Sequence, residues 1–169
     1  MTGAEMDRLF IFILTTFCGA FIGIYMSCKL QDRYYFLTEF SSMVLKMEGL
    51  IKYNRFAVYE VLQKTRNEKL KFISDEMIEI AKSGKCIDKL WNREVQKIKF
   101  LTVDDKSVIA MLGENLGKSS TEGQIAVFQS VRNNLDILIK DSDEIRKSKV
   151  KLYRTLGILL GSAVGIIFL

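Results

Sequence analysis

The chain has 169 residues, 25 Lys plus Arg against 20 Asp plus Glu, a formal charge of +5, and neither His nor Pro. That length is one ordinary domain with room for a helical core. Without His, the commonest general base and zinc ligand are missing, so Ser-His-Asp, Cys-His and HExxH chemistry are excluded. Without Pro, nothing interrupts a helix sterically. The 49% apolar share is close to the globular average, but it is unevenly spread.

From Leu9 to Cys28 the chain reads LFIFILTTFCGAFIGIYMSC, without a charge; as a helix it extends about 30 Å, one hydrocarbon core. A cleaved signal peptide fits poorly, because Glu5 and Asp7 precede the run and Arg8 alone is basic. A lipoprotein reading through Cys18 or Cys28 meets poor neighbours in Phe17 and Lys29. Phe36, Phe40, Val44, Met47 and Ile51 continue the first span as one helix face. A short helix is predicted from Ala57 to Lys64. A third carries Leu70, Ile73, Met77 and Ile80 and ends at Ser83-Gly84, and a fourth carries Ile87, Leu90, Trp91, Val95 and Ile98. Thr102 with Asp105 opens a fifth helix in the manner of a capping box, and Gly117 closes it. Ser119 with Glu122 reads as a second capping box. It opens a helix of more than 40 residues that holds Ile125, Phe128, Val131, Leu135, Leu138 and Ile145 on one face. That helix runs without a breaker into LYRTLGILLGSAVGIIFL, residues 152–169, about 27 Å long with Arg154 able to snorkel. A buried core helix is the rival reading of this last stretch.

The expected organisation is a tail over 1–8, a transmembrane helix over 9–28, a helical domain over 29–151 and a second transmembrane helix over 152–169. The fold class is all-α, a bundle of about six helices between two membrane helices. Lys29 and Arg33 on one inner flank, and Arg146, Lys147, Lys149, Lys151 and Arg154 on the other, outweigh Arg8 outside. The positive-inside rule then puts the central domain in the cytoplasm, its basic flanks against anionic lipid headgroups. Cys18, Cys28 and Cys86 imply no disulfide framework.

Catalytic signals are sparse. There is no Walker A or GxGxxG motif. Gly117-Lys118-Ser119 is only a fragment of the former, since Gly113 lies four rather than five residues before Gly117 and no strand precedes it. The acidic pairs Asp75-Glu76, Asp104-Asp105 and Asp143-Glu144 read as solvated or first-turn carboxylates, and Cys86 has no evident activating base. Lys64, Arg66, Lys69 and Lys71 cluster, but Glu68 interrupts them and no aromatics interleave, so nucleic acid is not an expected partner. No catalytic, metal or cofactor site is expected, and the chain does not read as an enzyme. The strongest membrane signal is spacing. Gly157, Gly161 and Gly165, and Gly19 with Gly23, recur every fourth residue, fit for close packing either within one chain or in a homo-oligomer.

An N-terminal span, the stretch RYYFLTEFSSMVLKMEGLIKYNRFAVYEVL, the central LGENLGKSSTEGQ and the terminal KLYRTLGILLGSAVGIIFL together resemble stage III sporulation protein AB of endospore-forming bacteria, in order and along nearly the whole chain. Glu48, Ile51 and Tyr53 match the family's L-E-x-x-I-x-Y stretch; Leu112, Gly113, Leu116, Gly117, Ser119 and Gln124 match its L-G-x-x-L-G-x-S-D-x-x-x-Q stretch. Ser120 stands where the family usually has Asp, and Asn54 to Phe56 replace its Thr-Pro. The resemblance implies a non-enzymatic part of the channel complex between mother cell and forespore, in the mother-cell membrane. It also implies a cytoplasmic domain similar to the inner-membrane platform proteins of type II secretion and type IV pilus machines. Its partners would be other channel subunits and a secretion-type ATPase, with Glu48, Ile51, Tyr53, Gly113, Gly117, Ser119, Ser120 and Gln124 as candidate contact or motif residues. The rival functions are a membrane-anchored regulator or small-molecule receptor, which would need an apolar cavity, and a tethered nucleic-acid binder.

Overall fold

The computed structural model describes residues 3–54, 56–66, 70 and 72–167. Among these the regular structure is six α-helices with no strand: α1 (Gly3–Asn54), α2 (Val58–Thr65), α3 (Asp75–Lys82), α4 (Asp88–Lys97), α5 (Val103–Asn115) and α6 (Thr121–Ile167). The side chains of Arg8 and its neighbours, and Glu68, Lys69 and Lys71 of the basic cluster, lie outside the described residues, as do residues 168 and 169 of the C-terminal stretch.

Helix ends follow local chemistry. Ser74 caps α3, its Oγ accepting the Met77 N–H at 3.2 Å. The predicted start near Leu70 is therefore too early. Leu70, Phe72 and Ile73 are buried ahead of the helix, and hydrophobic spacing alone cannot tell a packed loop from a first turn. Thr102 and Asp105 form the predicted capping box, with Asp105 N–H to Thr102 Oγ1 at 3.2 Å and Thr102 N–H to Asp105 Oδ2 at 2.8 Å. α6 begins one residue later than its predicted box. Ser120, not Ser119, precedes Thr121 and accepts the Gly123 N–H at 3.3 Å.

The chain divides into two compact units. One takes the described residues up to Tyr34 and from Ser142 onward; the other is Tyr35–Asp141. α1 and α6 each contribute residues to both.

The Tyr35–Asp141 unit has one contiguous apolar core. Leu37, Phe40, Val44, Met47 and Ile51 of α1 are buried with Val61 and Leu62 of α2, Met77 of α3, Trp91 and Val95 of α4, Ile109 and Leu112 of α5, and Phe128, Val131 and Leu135 of α6. An aromatic group runs through it. Phe36 stacks on Phe40 with centroids 6.1 Å apart, and Phe72 meets Trp91 edge-on at 4.7 Å. The Trp91 indole N–H donates to the Ile109 carbonyl at 2.9 Å. A Cβ on Gly113 would fall inside the same ring, against Cγ and Cδ1. One large side chain thus joins α4 to α5, and a missing one makes the room.

The other unit is built inside out. Gly23, Ser27, Gly161 and Gly165 are buried, while Phe17, Phe21, Ile22, Leu159, Leu160 and Ile166 are more than half exposed. α1 contains a window of mean hydropathy 1.9, long and apolar enough to cross a membrane, of which 11% is buried. Arg33, counted in the basic flank expected against lipid headgroups, is buried in this unit.

Two glycine substitutions should move stability in opposite directions. Gly113→Ala should lower it by about 1–2 kcal/mol, overpacking against Trp91 outweighing the helix-propensity gain. Gly49→Ala, mid-helix with nothing within 4 Å of the added Cβ, should raise it by up to about 1 kcal/mol. Urea unfolding of the full chain, followed by circular dichroism, checks both signs.

Candidate functional site

The residues singled out by sequence fall into three places. The first is the reversal between α5 and α6. Leu112 and Leu116 are buried core residues, and Gly117 adopts φ +79°, the left-handed conformation that ends α5. Its N–H donates to Gln124 Oε1 at 3.3 Å, while Gln124 Nε2 donates to the Ser119 carbonyl at 3.1 Å. The Lys118 N–H donates to the Asn115 carbonyl at 3.2 Å. A Cβ on Gly117 would also approach Val58 Cγ2 to 2.7 Å. Gln124 therefore braces the turn from the helix that follows it, and Ser119 and Ser120 stay exposed at its tip. The Gly117-Lys118-Ser119 fragment is no phosphate loop: a helix precedes it, and its Lys118 Nζ binds Asp88 Oδ2 at 3.0 Å.

That pair shifts both groups. The Lys118 hydrogen bond, followed by the Lys89 N–H, holds Asp88 below its ordinary 3.8, and the Asp88 hydrogen bond holds Lys118 above its ordinary 10.5. The lowered carboxylate contributes fully above pH 3.8, and its contribution is lost as pH falls through the depressed value. The raised ammonium contributes fully below pH 10.5, and its contribution is lost as pH rises through the elevated value. The tie is intact across the whole neutral range.

The second place is on α1. Glu48 is 8% exposed, and its Oε2 accepts from Arg132 Nη1 of α6 at 3.2 Å. Ile51 is core, whereas Tyr53 is 76% exposed with Lys52 over its ring. Glu48 and Tyr53 thus do different things: one ties two helices together and the other faces outward. Sequence reasoning missed Arg132, because a partner 84 residues away leaves no local signal.

The third place is the glycine seam. Added Cβ atoms on Gly19 would strike Gly157 O and come within 2.8 Å of Gly161 Cα. On Gly23 one would lie 2.5 Å from Tyr153 O, and on Gly161 one would lie 2.8 Å from Thr15 O. Gly165 lies against Phe12 and Thr15. The structure brings these small faces together within one chain. Ser27 Oγ reaches the carbonyls of Gly23 at 2.9 Å and Val150 at 3.1 Å.

The other acidic pairs have ordinary surroundings. Asp75 pairs with Arg66 and Glu76 with Arg93 in the first turn of α3, and Asp104 and Asp105 occupy the first turn of α5. Asp143 is held below the usual carboxylate range by Lys147 and then Arg146, and Arg146 also lies 4.3 Å over the Tyr34 ring. Lys64 of the basic cluster sits over Phe56 at 4.9 Å. Among the described residues no group of three or more His, Cys, Asp or Glu could hold a metal.

The sequence profile of stage III sporulation protein AB matches residues 8–169, all but the first seven positions. The chain belongs to that family. No match was found among curated proteins or among solved structures. In stage III sporulation protein AB terms, the glycine-rich stretch of the family pattern is here a braced helix reversal under Trp91. The Ser120 that replaces the pattern's Asp is the N-cap of α6, and Ser and Asp serve that position about equally well. The departure at Asn54 to Phe56 falls where α1 ends, with Arg55 outside the described residues.

Arg132→Ala should destabilise the chain by about 1–2 kcal/mol, less than a fully buried pair because Arg132 is 38% exposed. Adding Glu48→Gln should restore part of that loss, since no buried charge is then stranded. A double-mutant cycle by urea unfolding checks this.

Proposed function

We propose that the protein is a non-enzymatic membrane subunit of the channel complex between mother cell and forespore. In this reading it is a platform that couples a cytoplasmic secretion-type ATPase to the membrane. It crosses the mother-cell membrane twice, with the Tyr35–Asp141 unit in the cytoplasm, both termini on the far side, and other channel subunits as neighbours. The observation that carries the membrane part is the inverted unit, with large apolar side chains outside and Gly and Ser inside. That pattern suits lipid, where chains associate through close backbone packing rather than apolar burial. The family membership supports the sporulation role. Two helices of 52 and 47 residues, each unbroken, supply a mechanical path for coupling. The rival receptor reading asks for an enclosed apolar cavity of at least about 300 Å³. Among the described residues the Tyr35–Asp141 unit offers a continuous apolar core and an open groove of about 180 Å³.

Topology is tested in a background with Cys18, Cys28 and Cys86 replaced by Ser. With the chain expressed during vegetative growth, a membrane-impermeant maleimide should label Ala4→Cys in protoplasts, and should label a restored Cys86 only after lysis; the reverse pattern sinks the orientation. For function, deleting the gene should stop sporulation after engulfment with vegetative growth unchanged, and normal spore yield would refute the role. Gly161→Ile should weaken the seam and lower spore yield at unchanged expression, since the added side chain meets Thr15 and Thr16 backbone.

A further inference from the structure

The Tyr35–Asp141 unit carries an open groove of about 180 Å³ walled by three separate segments. These are the start of α2 (Val58, Tyr59), the loop between α3 and α4 (Lys85, Cys86), and the braced reversal (Leu116, Lys118). Leu116 and Val58 give it an apolar side; Lys85, Cys86 and Lys118 are exposed. Neither the Lys85 ammonium nor the Tyr59 hydroxyl has a polar partner among the described residues. Lys118 is held by Asp88 at 3.0 Å, at the surface, where an ion pair exchanges readily. The nearby Glu114 carboxylate accepts from Asn92 Nδ2 at 3.2 Å.

Around the two lysines three backbone donors of this groove are occupied. The Gly117 N–H is taken by Gln124, the Lys118 N–H by Asn115 and the Lys85 N–H by Ile80. A phosphate cradle would use converging backbone N–H groups. The side chains offer two ammonium groups and a hydroxyl beside an apolar wall, which suits a carboxylate next to an apolar side chain. We infer that this groove docks a short acidic segment of a partner protein. An apolar side chain lies on Val58 and Leu116, one carboxylate sits on Lys85, and a second takes Lys118 from Asp88. The inference stands on the groove alone and does not require the platform reading.

The groove carries its own reporter. In the full chain with Cys18→Ser and Cys28→Ser, held in phosphatidylcholine nanodiscs, iodoacetamide alkylation of Cys86 is followed by mass spectrometry. Excess acetyl-Glu-Leu-Glu-amide should slow it about fivefold, whereas acetyl-Gln-Leu-Gln-amide should not. Lys85→Glu should abolish the protection, and Asp88→Asn, which frees Lys118, should bring half-protection at lower peptide concentration. A purely structural role for Asp88 would not produce that gain. Lys85 has no partner to lose, and an unchanged helical melting curve shows that its variant folds. No protection, equal protection by the neutral peptide, or protection surviving both Lys85→Glu and Lys118→Gln overturns the inference. So does protection by a single-stranded oligonucleotide but not by the acidic peptide.

Discussion

The Tyr35–Asp141 unit depends on how one indole is held. Trp91 is fully buried, and a buried indole N–H without an acceptor is costly. The Ile109 carbonyl supplies the acceptor at 2.9 Å, and the absent side chain of Gly113 supplies the space. The two α5 positions lie four residues apart, so one turn of α5 serves both the polar edge and the face of the ring. With α4 and α5 thus locked, Phe40 and Phe72 pack on the ring from α1 and from the loop before α3. Gly117, one helical turn beyond Gly113, then turns the chain back into α6.

The two units distribute the same chemistry in opposite ways. In one, aromatic and branched side chains meet in the middle and most charged residues lie outside, which is folding by exclusion from water. In the other, large apolar groups point outward and the interior is backbone against backbone, because no side chain separates the glycines. α1 and α6 each change pattern partway along without a break in the helix. The rule that assigns faces changes along a single element, and the absence of Pro is what permits the length.

Helix existence and type were legible, since long periodic runs and capping pairs act locally: Thr102 with Asp105, and the stops at Gly84 and Gly117, are written in adjacent residues. What was not legible is set by distance. Leu70 and Ile73 share helical spacing with Met77 yet are buried ahead of the helix, where Phe72 packs on Phe36 and Phe40 of α1 and on Trp91 of α4. The cap at Ser120 rather than Ser119 was a choice between two adjacent acceptors, which sequence spacing alone does not make. Glycines 19, 23, 157 and 161 were readable as faces made for close approach, but spacing alone left their mates open. Most of the candidate motif residues are engaged in the fold itself. Leu112, Gly113, Leu116, Gly117 and Gln124 hold the reversal and Glu48 bridges to Arg132, leaving Tyr53, Ser119 and Ser120 as its outward-facing members. Groove residues such as Lys85 and Tyr59 carried no sequence signal, being brought together from separate segments.

The glycine seam has one more property. Its small residues repeat every fourth position on both helices, a step of about 6 Å along a helix axis. Sliding one helix past the other by one step would bring glycine against glycine again. Such a ladder has near-degenerate rungs, and close packing alone does not choose among them. The Ser27 hydroxyl does not choose either, since after such a slide another α6 carbonyl would stand in the place of Val150. The Arg146 guanidinium over the Tyr34 ring does distinguish them, because one step would put Ser142 or Val150 there instead. A single cation over one ring therefore acts as the index mark on an otherwise repeating scale.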